Sequence, residues 1–242
     1  MIFAAGMGTR LKPLTDIIPK ALVPVADRPL LQGVLDRMED AGVTKVVVNV
    51  HHHAAQIKNF IRLAQPSYPF PISISDESEQ LLETGGAIKK ARQLFDNTEP
   101  ILIHNVDILS NINLRAFYKQ SNNVDAALLV SARQTKRYLL FDDDMRLVGW
   151  TNVETGEVKS PYSNVHELAK HQYAFSGIHC FSPTLFPFMA LWPDRFPIID
   201  FYLQTCAKAH IKGIVKEDLK LLDVGKLDTL SNAEQFFTEN IL

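Results

Sequence analysis

Cysteine is nearly absent from this chain of 242 residues: only Cys180 and Cys206 occur. Two thiols make no disulfide framework and these do not sit at metal-ligand spacing, so both read as buried free cysteines. Long apolar runs are missing too. No stretch approaches the ~18 residues of a membrane helix, and "MIFAAGMGTR" lacks the basic start and apolar core of a signal peptide. The expectation is a cytoplasmic protein with no membrane partner. Neither sign of charge is in excess: the net charge is −2. Without a basic field the chain is not read as a nucleic-acid binder. Any anionic ligand must be met by a few placed cations. No internal repeat, low-complexity tract, or Ser–His or Cys–His nucleophile arrangement is found.

What is present is an alternation. "IFAA" (2–5) is a short buried strand, and Leu30, Leu31, Val34, Leu35 and Met38 form one helical face that Gly42 ends. "KVVVNV" is a strand, and Ala54, Ile57, Ile61 and Ala64 mark a helix. "FPISIS" is a strand, "GAIKKARQLF" a helix, "PILIHNVD" a strand ending in an acid, "LRAFYKQ" a short helix and "DAALLVSA" a strand. Strand and helix alternating to about residue 130 predict an α/β fold with a doubly wound, mostly parallel, Rossmann-like sheet. Ligands of such sheets sit at the carboxyl ends of the strands. After residue 130 the rhythm changes. "RYLLFDDDMRLVGWTN" reads as two strands joined by an acidic turn, and 153–172 as a loop with a helical piece. "YAFSGIHCF" is a strand, Ser182-Pro183 a helix start, and 198–210 a helix. "IKGIVK" and "KLLDV" are strands, and a closing helix starts at Lys226. The reading is one domain, 1–242, with a first half 1–130 and a smaller antiparallel portion within 131–242.

The chemistry gathers near the N-terminus. "GMGTRL" (6–11) places glycines after a strand, where backbone N–H groups can face phosphate oxygens. A dinucleotide fingerprint would want a third glycine at position 11, where Leu11 stands, and no Gly-Lys-Ser/Thr of a Walker A loop follows. Taken alone, such glycines also serve purely steric ends in strand–loop–helix turns. Arg10 can fork onto a phosphate, and Lys20 lies on a stretch stiffened by Pro19 and Pro24. A lysine there is poorly explained as a solvated charge. By contrast, His51-His52-His53 cannot all converge on a metal from an extended strand. The turn Asp142-Asp143-Asp144 lacks calcium-loop spacing.

The segment "AAGMGTRLKPLTDIIPKALVPVADRPLL" resembles the signature of the sugar-1-phosphate nucleotidyltransferases, A-A-G-x-G-T/S-R-L-x-P-L-T followed by P-K-x-L-x-P-V. The superfamily resemblance covers nearly the whole chain. It implies that Ala4, Ala5, Gly6, Gly8, Thr9 and Arg10 bind nucleotide and that Arg10 and Lys20 are catalytic. "ETGGAI" (83–88) is similar to the E-T-G-G-G-I of short N-acetylmuramate-1-phosphate uridylyltransferases, so Glu83, Thr84, Gly85 and Gly86 are expected to read the base, with UTP favoured. Thr84 can also be read as the cap of its own helix. Asp107 in "ILIHNVDIL" and Asp223 in "LLDVGKL" stand in place of the family's metal acids and imply Mg²⁺. "YAFSGIHCFSP" looks like the strand lining the sugar pocket. The sugar is therefore expected at Asn105, Ser176 and Gly177, with Arg137 a candidate partner for a lactyl carboxylate or else a solvated strand-end charge. Asp200 is read as a helix cap. Leu221 and Lys226 depart from the family's usual Trp and Thr, which bears on the sugar.

The resemblance implies a peptidoglycan-recycling enzyme that joins a nucleoside triphosphate and a sugar 1-phosphate with release of pyrophosphate, acting as a monomer or homodimer. Other branches remain open: a mannose- or heptose-1-phosphate guanylyltransferase, a choline-phosphate cytidylyltransferase, and a regulatory protein that binds nucleotide sugar without turnover. The last usually lacks Arg10, Lys20 or a metal acid. A NAD-dependent oxidoreductase is disfavoured by Leu11. Family members usually carry a few more residues before A-A-G, which leaves a trimmed chain or a misplaced start as the alternatives, and a C-terminal β-helix is not expected.

Overall fold

The computed structural model describes residues 1–96 and 98–240. It divides into two compact units: Met1–Leu82, Ile103–Ala116 and Leu219–Leu242 form the first, and Glu83–Leu102 with Phe117–Asp218 the second.

Along the chain, β1 (Ile2–Phe3) precedes the glycine loop, and β2 (Pro24–Val25) and β3 (Arg28–Pro29) form a small ribbon leading to α1 (Leu30–Ala41). Then come β4 (Val46–Val50), α2 (Ala54–Ala64), β5 (Ile72–Asp76) and α3 (Glu83–Ala91). They are followed by β6 (Ile101–Asn105), β7 (Ile108–Ser110), α4 (Leu114–Gln120) and β8 (Ala126–Ser131). Next are β9 (Arg137–Phe141), β10 (Leu147–Asn152), β11 (Glu157–Lys159), α5 (Val165–Leu168) and β12 (His171–Phe181). The chain closes with α6 (Ile198–Thr205), β13 (Ile211–Val215), β14 (Leu221–Asp223), α7 (Leu227–Ser231) and α8 (Ala233–Asn240).

In the first unit the strands are parallel in the order β6-β1-β4-β5. Ile2 pairs with Val48 on one side and His104 on the other. From β1 the chain builds outward through β4 and β5, then returns to place β6 on the opposite flank. The order reverses between β1 and β6, which makes their carboxyl ends the switch point where open α/β sheets hold ligands. Every residue of β4 is buried, as expected of a strand covered on both faces. Helix α1 buries Leu30, Leu31, Val34, Leu35 and Met38, the face read from the sequence. Each such side chain contributes roughly 1.5–3 kcal/mol. Gly42 ends it at φ 77°, a conformation open to glycine, and its N–H bonds Glu39 O at 2.8 Å.

The second unit runs β13-β8-β12-β9-β10-β11, antiparallel except for the β13–β8 pair. With a parallel sheet in the first unit and a mostly antiparallel one in the second, the chain has the expected α/β class.

The structure revises three details of the sequence reading. The polar stretch 153–172 contains a strand, β11, as well as the helix α5. All three residues of β11 are exposed, so it has no apolar alternation and forms because β10 offers an edge. The helix read over 198–210 stops at Thr205, where Lys208 N–H turns back onto Thr205 O at 2.8 Å. The closing helix is two helices, α7 and α8.

Candidate active site

The site grows from the carboxyl ends of β1 and β6 in the first unit. β1 runs straight into Ala4 and Ala5, both buried, and then Gly6. The N–H of Ala4 donates to Asn49 Oδ1 at 2.8 Å. Asn49 in turn donates from Nδ2 to Glu77 Oε1 at 2.8 Å, and Glu77 Oε2 accepts from the N–H of Leu82 at 3.1 Å. Glu77 is fully buried and Asn49 is 3% exposed. A buried carboxylate requires partners of this kind. One chain of bonds therefore ties the start of the glycine loop to the residue that precedes Glu83.

The loop is shaped by its glycines. A Cβ on Gly6 would meet nothing within 4 Å, so its surface is open to a ligand. Gly8 has φ +63°, and a Cβ there would lie 2.7 Å from Thr15 Cγ2. Thr15 also donates its hydroxyl to Gly8 O at 2.8 Å, which closes the turn. Thr9 and Arg10 follow, both exposed.

Lys20 lies on the proline-flanked stretch and is buried, 8% exposed. Its ammonium pairs with the Asp107 carboxylate, and both side chains are largely shielded from solvent. Asp107 follows β6, and Asn105 is the last residue of that strand. β14 pairs antiparallel with β7, and Val224 N–H donates to Asp107 O at 2.8 Å. Asp223 and Asp107 therefore stand on bonded neighbouring segments although the chain separates them widely. Arg10 Nη2 lies 3.9 Å from Asp223 Oδ2. Gly225 makes room for this pair: a Cβ there would be 2.6 Å from Arg10 Nη2 and 2.6 Å from Asp223 Oδ1. Arg10, Lys20, Asp107 and Asp223, singled out in the sequence, are thus assembled into two cation–carboxylate pairs.

Two aspartates supply hard oxygen donors suited to a divalent cation. Among the described residues no group of three or more His, Cys, Asp or Glu is placed to hold a metal. The donor set fits an ion that takes one or two carboxylates and completes its shell with phosphate and water oxygens. His51 and His52 brace loops instead: His51 Nδ1 is 2.6 Å from Glu77 O and His52 Nε2 is 3.1 Å from Thr15 O.

The remaining expected residues belong to the second unit. Glu83 accepts from Arg195 Nε at 3.0 Å. Thr84 does not cap its own helix: its hydroxyl accepts from Ile198 N–H at 2.9 Å, satisfying an orphan donor at the start of α6. The N–H groups of Gly85 and Gly86 both go to Phe196 O, at 2.8 and 3.2 Å, and a Cβ on Gly85 would strike the Phe196 ring at 2.3 Å. These amides are engaged within the protein, and the glycine at position 85 is required by packing. Asp200 makes no capping bond at α6 and lies 3.6 Å from Lys159. Ser176 is buried, and its hydroxyl has no partner among the described residues. Gly177, at φ +73°, sits where the β12–β8 register shifts between Phe175 and His179. Arg137 opens β9 and is exposed. Sequence reasoning did not find Thr15, Asn49 or Glu77. An asparagine inside "VVVNV" was the available signal.

No helix among the described residues is long and apolar enough to cross a membrane. The nucleotidyl transferase family model matches residues 1–141. The chain is 45% identical over 229 residues to N-acetylmuramate alpha-1-phosphate uridylyltransferase of Caulobacter vibrioides, covering 90% of this chain and 88% of that protein. HddC from Yersinia pseudotuberculosis complexed with GMP-PN shares the fold, with TM-score 0.74 at 22% identity over 98% of this chain and 97% of that one. So does UDP-glucose pyrophosphorylase complexed with UDP-glucose, with TM-score 0.74 at 16% identity and the same coverage, 98% and 97%. With its glycine loop, cations and paired aspartates at the switch point, this chain belongs to the nucleotidyl transferase family.

Proposed function

We propose that this protein transfers the uridylyl group of UTP to N-acetylmuramate 1-phosphate, forming the nucleotide sugar and pyrophosphate. One observation carries the transfer chemistry: Arg10, Lys20, Asp107 and Asp223 meet in the first unit at the end of β1 and β6. The substrates are supported by the 45% identity to the Caulobacter protein of that name.

An oxygen of the sugar phosphate attacks the α-phosphorus of the triphosphate. The new P–O bond forms as the bond to the β-phosphate oxygen breaks, and pyrophosphate leaves with that electron pair. A phosphate monoester with a second pKa near 6 is already ionised at pH 7, so no side chain has to remove a proton. The amides of the Gly6–Gly8 turn and the Arg10 guanidinium hold the departing phosphates. Lys20 places its ammonium against the phosphate of the sugar. Asp107 and Asp223 would hold Mg²⁺, which when bound supplies positive charge that lowers the repulsion between the two anions. Catalysis by this chain is positioning and charge compensation. In the second unit, Glu83 and its neighbours would receive the base, and Ser176 and Gly177 the sugar ring, with Arg137 toward its lactyl carboxylate.

The test is pyrophosphate release with Mg²⁺ across UTP, GTP, CTP and dTTP, each paired with a panel of sugar 1-phosphates. Release with UTP and the muramate sugar is expected. Release with GTP and a mannose phosphate would replace the substrates and keep the chemistry. Binding of nucleotide sugar without any turnover would favour a regulatory role.

A further inference from the structure

The second unit contains a cavity of about 560 Å³, a size suited to a small ligand. Its floor follows from strand alternation. Trp150 on β10 stands directly opposite Lys159 on β11 and Leu139 on β9, and Asn152 stands opposite Arg137. Side chains two apart share a face, so Arg137, Trp150 and Lys159 all project from one side of this three-stranded sheet, and all line the cavity. The opposite face is apolar: Leu140 and Val148 pack there with Val165. Phe175, Arg133, Glu157 and Asp200 are among the residues of its walls.

The cavity combines aromatic surface with incompletely used positive charge. Lys159 Nζ lies 5.2 Å from the centre of the Trp150 ring. It stands 3.6 Å from Asp200 and 3.8 Å from Glu157, too far for a hydrogen bond to either. Arg133 is held by Phe175 O at 2.9 Å. The Arg137 side chain has no hydrogen bond or ion pair among the described residues. Trp150, Lys159 and Asp200 also lie beyond residues 1–141, the part matched by the family model.

We propose that this cavity is an acid-selecting subsite: Lys159 and Arg137 receive a carboxylate carried by the sugar, and Trp150 supports its ring. The proposal rests on the muramate reading above and adds the residues that make the choice. N-acetylmuramate differs from N-acetylglucosamine only by a lactyl ether bearing a carboxylate, so the two 1-phosphates isolate that group. Deleting a charge-assisted bond that only the muramate sugar can make changes the ratio between the two substrates, whereas damage to the scaffold lowers both.

The experiment measures kcat and KM of the full chain for both sugar 1-phosphates, in wild type and in Lys159→Met, Arg137→Met and Lys159→Arg, with Lys208→Met as an exposed control. Lys159→Met and Arg137→Met should each lower kcat/KM for the muramate sugar at least tenfold, mainly through KM, and leave the glucosamine sugar within twofold. Lys159→Arg should recover part of the loss, and Lys208→Met should change neither. Equal losses for both sugars, or no loss, would overturn the proposal. Should neither sugar be turned over, the muramate reading fails by itself. Saturation-transfer NMR with free N-acetylmuramate and N-acetylglucosamine then decides the subsite. Preference for the acid that disappears in Lys159→Met sustains it, and equal signals from both sugars reject it.

Discussion

The ammonium of Lys20 is paired with the carboxylate of Asp107, 87 residues further along the chain, and both side chains are largely withdrawn from water. Such a pair loses hydration and is stable only while each charge answers the other. A site that must receive two polyanions benefits from this arrangement. The cation is kept in place before substrate arrives.

Removing either member should therefore cost activity first. Lys20→Met is expected to lower kcat/KM by roughly 10²–10³, the range seen when one preorganised charge-stabilising group is deleted. Asp107→Asn should fall as far. Steady-state kinetics with circular dichroism as a folding check would measure this. Activity within threefold of wild type in a folded Lys20→Met protein would remove Lys20 from the machinery.

The second pair gives a separate prediction about metal. Asp223 is half-exposed and 3.9 Å from Arg10. Treatment with a chelator should abolish turnover, and Mg²⁺ should restore it. In Asp223→Asn the Mg²⁺ concentration for half-maximal activity should rise at least tenfold, since one of two hard carboxylate ligands has been removed. An unchanged Mg²⁺ titration would take Asp223 out of the metal site.

Gly225 offers a test that leaves every charged group in place. A methyl there would collide with the tips of Arg10 and Asp223 and with no backbone atom among its nearest neighbours. The fold can yield by moving those side chains. Gly225→Ala should thus keep a melting temperature close to wild type while kcat/KM drops about tenfold, in proportion to a displaced phosphate contact of ~1.4 kcal/mol. Full activity would show that Arg10 works equally well elsewhere.

Glu77 should matter for the opposite reason, through the backbone it holds. Its two oxygens accept from Asn49 Nδ2 and Leu82 N–H. A glutamine offers one acceptor and turns a donor toward the other donor. Leaving a buried donor unsatisfied costs about 1–3 kcal/mol. Urea unfolding of Glu77→Gln should show a loss of that size, together with a higher KM for the nucleotide because Ala4 is anchored through Asn49. Unchanged stability would mean that the network is not a support of the loop.

Much of this site was legible in the sequence because its residues are local or carry a motif. Gly6, Gly8, Arg10 and Lys20 fall within one short stretch, and Asp107 and Asp223 each end or follow an apolar strand. What stayed hidden depends on pairing across the chain. Glu77 sits among "DESE" and reads as solvated charge, yet burial and Asn49 make it a structural centre. Gly85 and Gly86 read as a ligand-facing turn, whereas Phe196, distant in sequence, accepts both their amides. Strand β11 has no hydrophobic pattern, so only its neighbour β10 defines it.

Acid should weaken this fold through two histidines that the reaction does not use. His104 and His179 are completely enclosed, and burial pulls each pKa down from 6.5 to about 3. The Arg37 charge adds to the effect at His104. His104 Nδ1 lies 2.7 Å from Asn105 O, and a carbonyl partner requires that nitrogen to carry the proton of a neutral ring. Above pH 6.5 both rings are neutral folded or unfolded, and their contribution is fully present. Below it the unfolded chain takes up protons that the folded one refuses, so stability falls as pH drops toward 3. Each ring adds a slope approaching ~1.4 kcal/mol per pH unit. Between pH 6.5 and 5 the two together should remove about 3–4 kcal/mol, read as a lower urea midpoint. A His104→Gln variant, neutral at every pH in this window, should show roughly half that dependence. An unfolding midpoint equal at pH 6.5 and 5 would mean that these rings are protonated inside the fold.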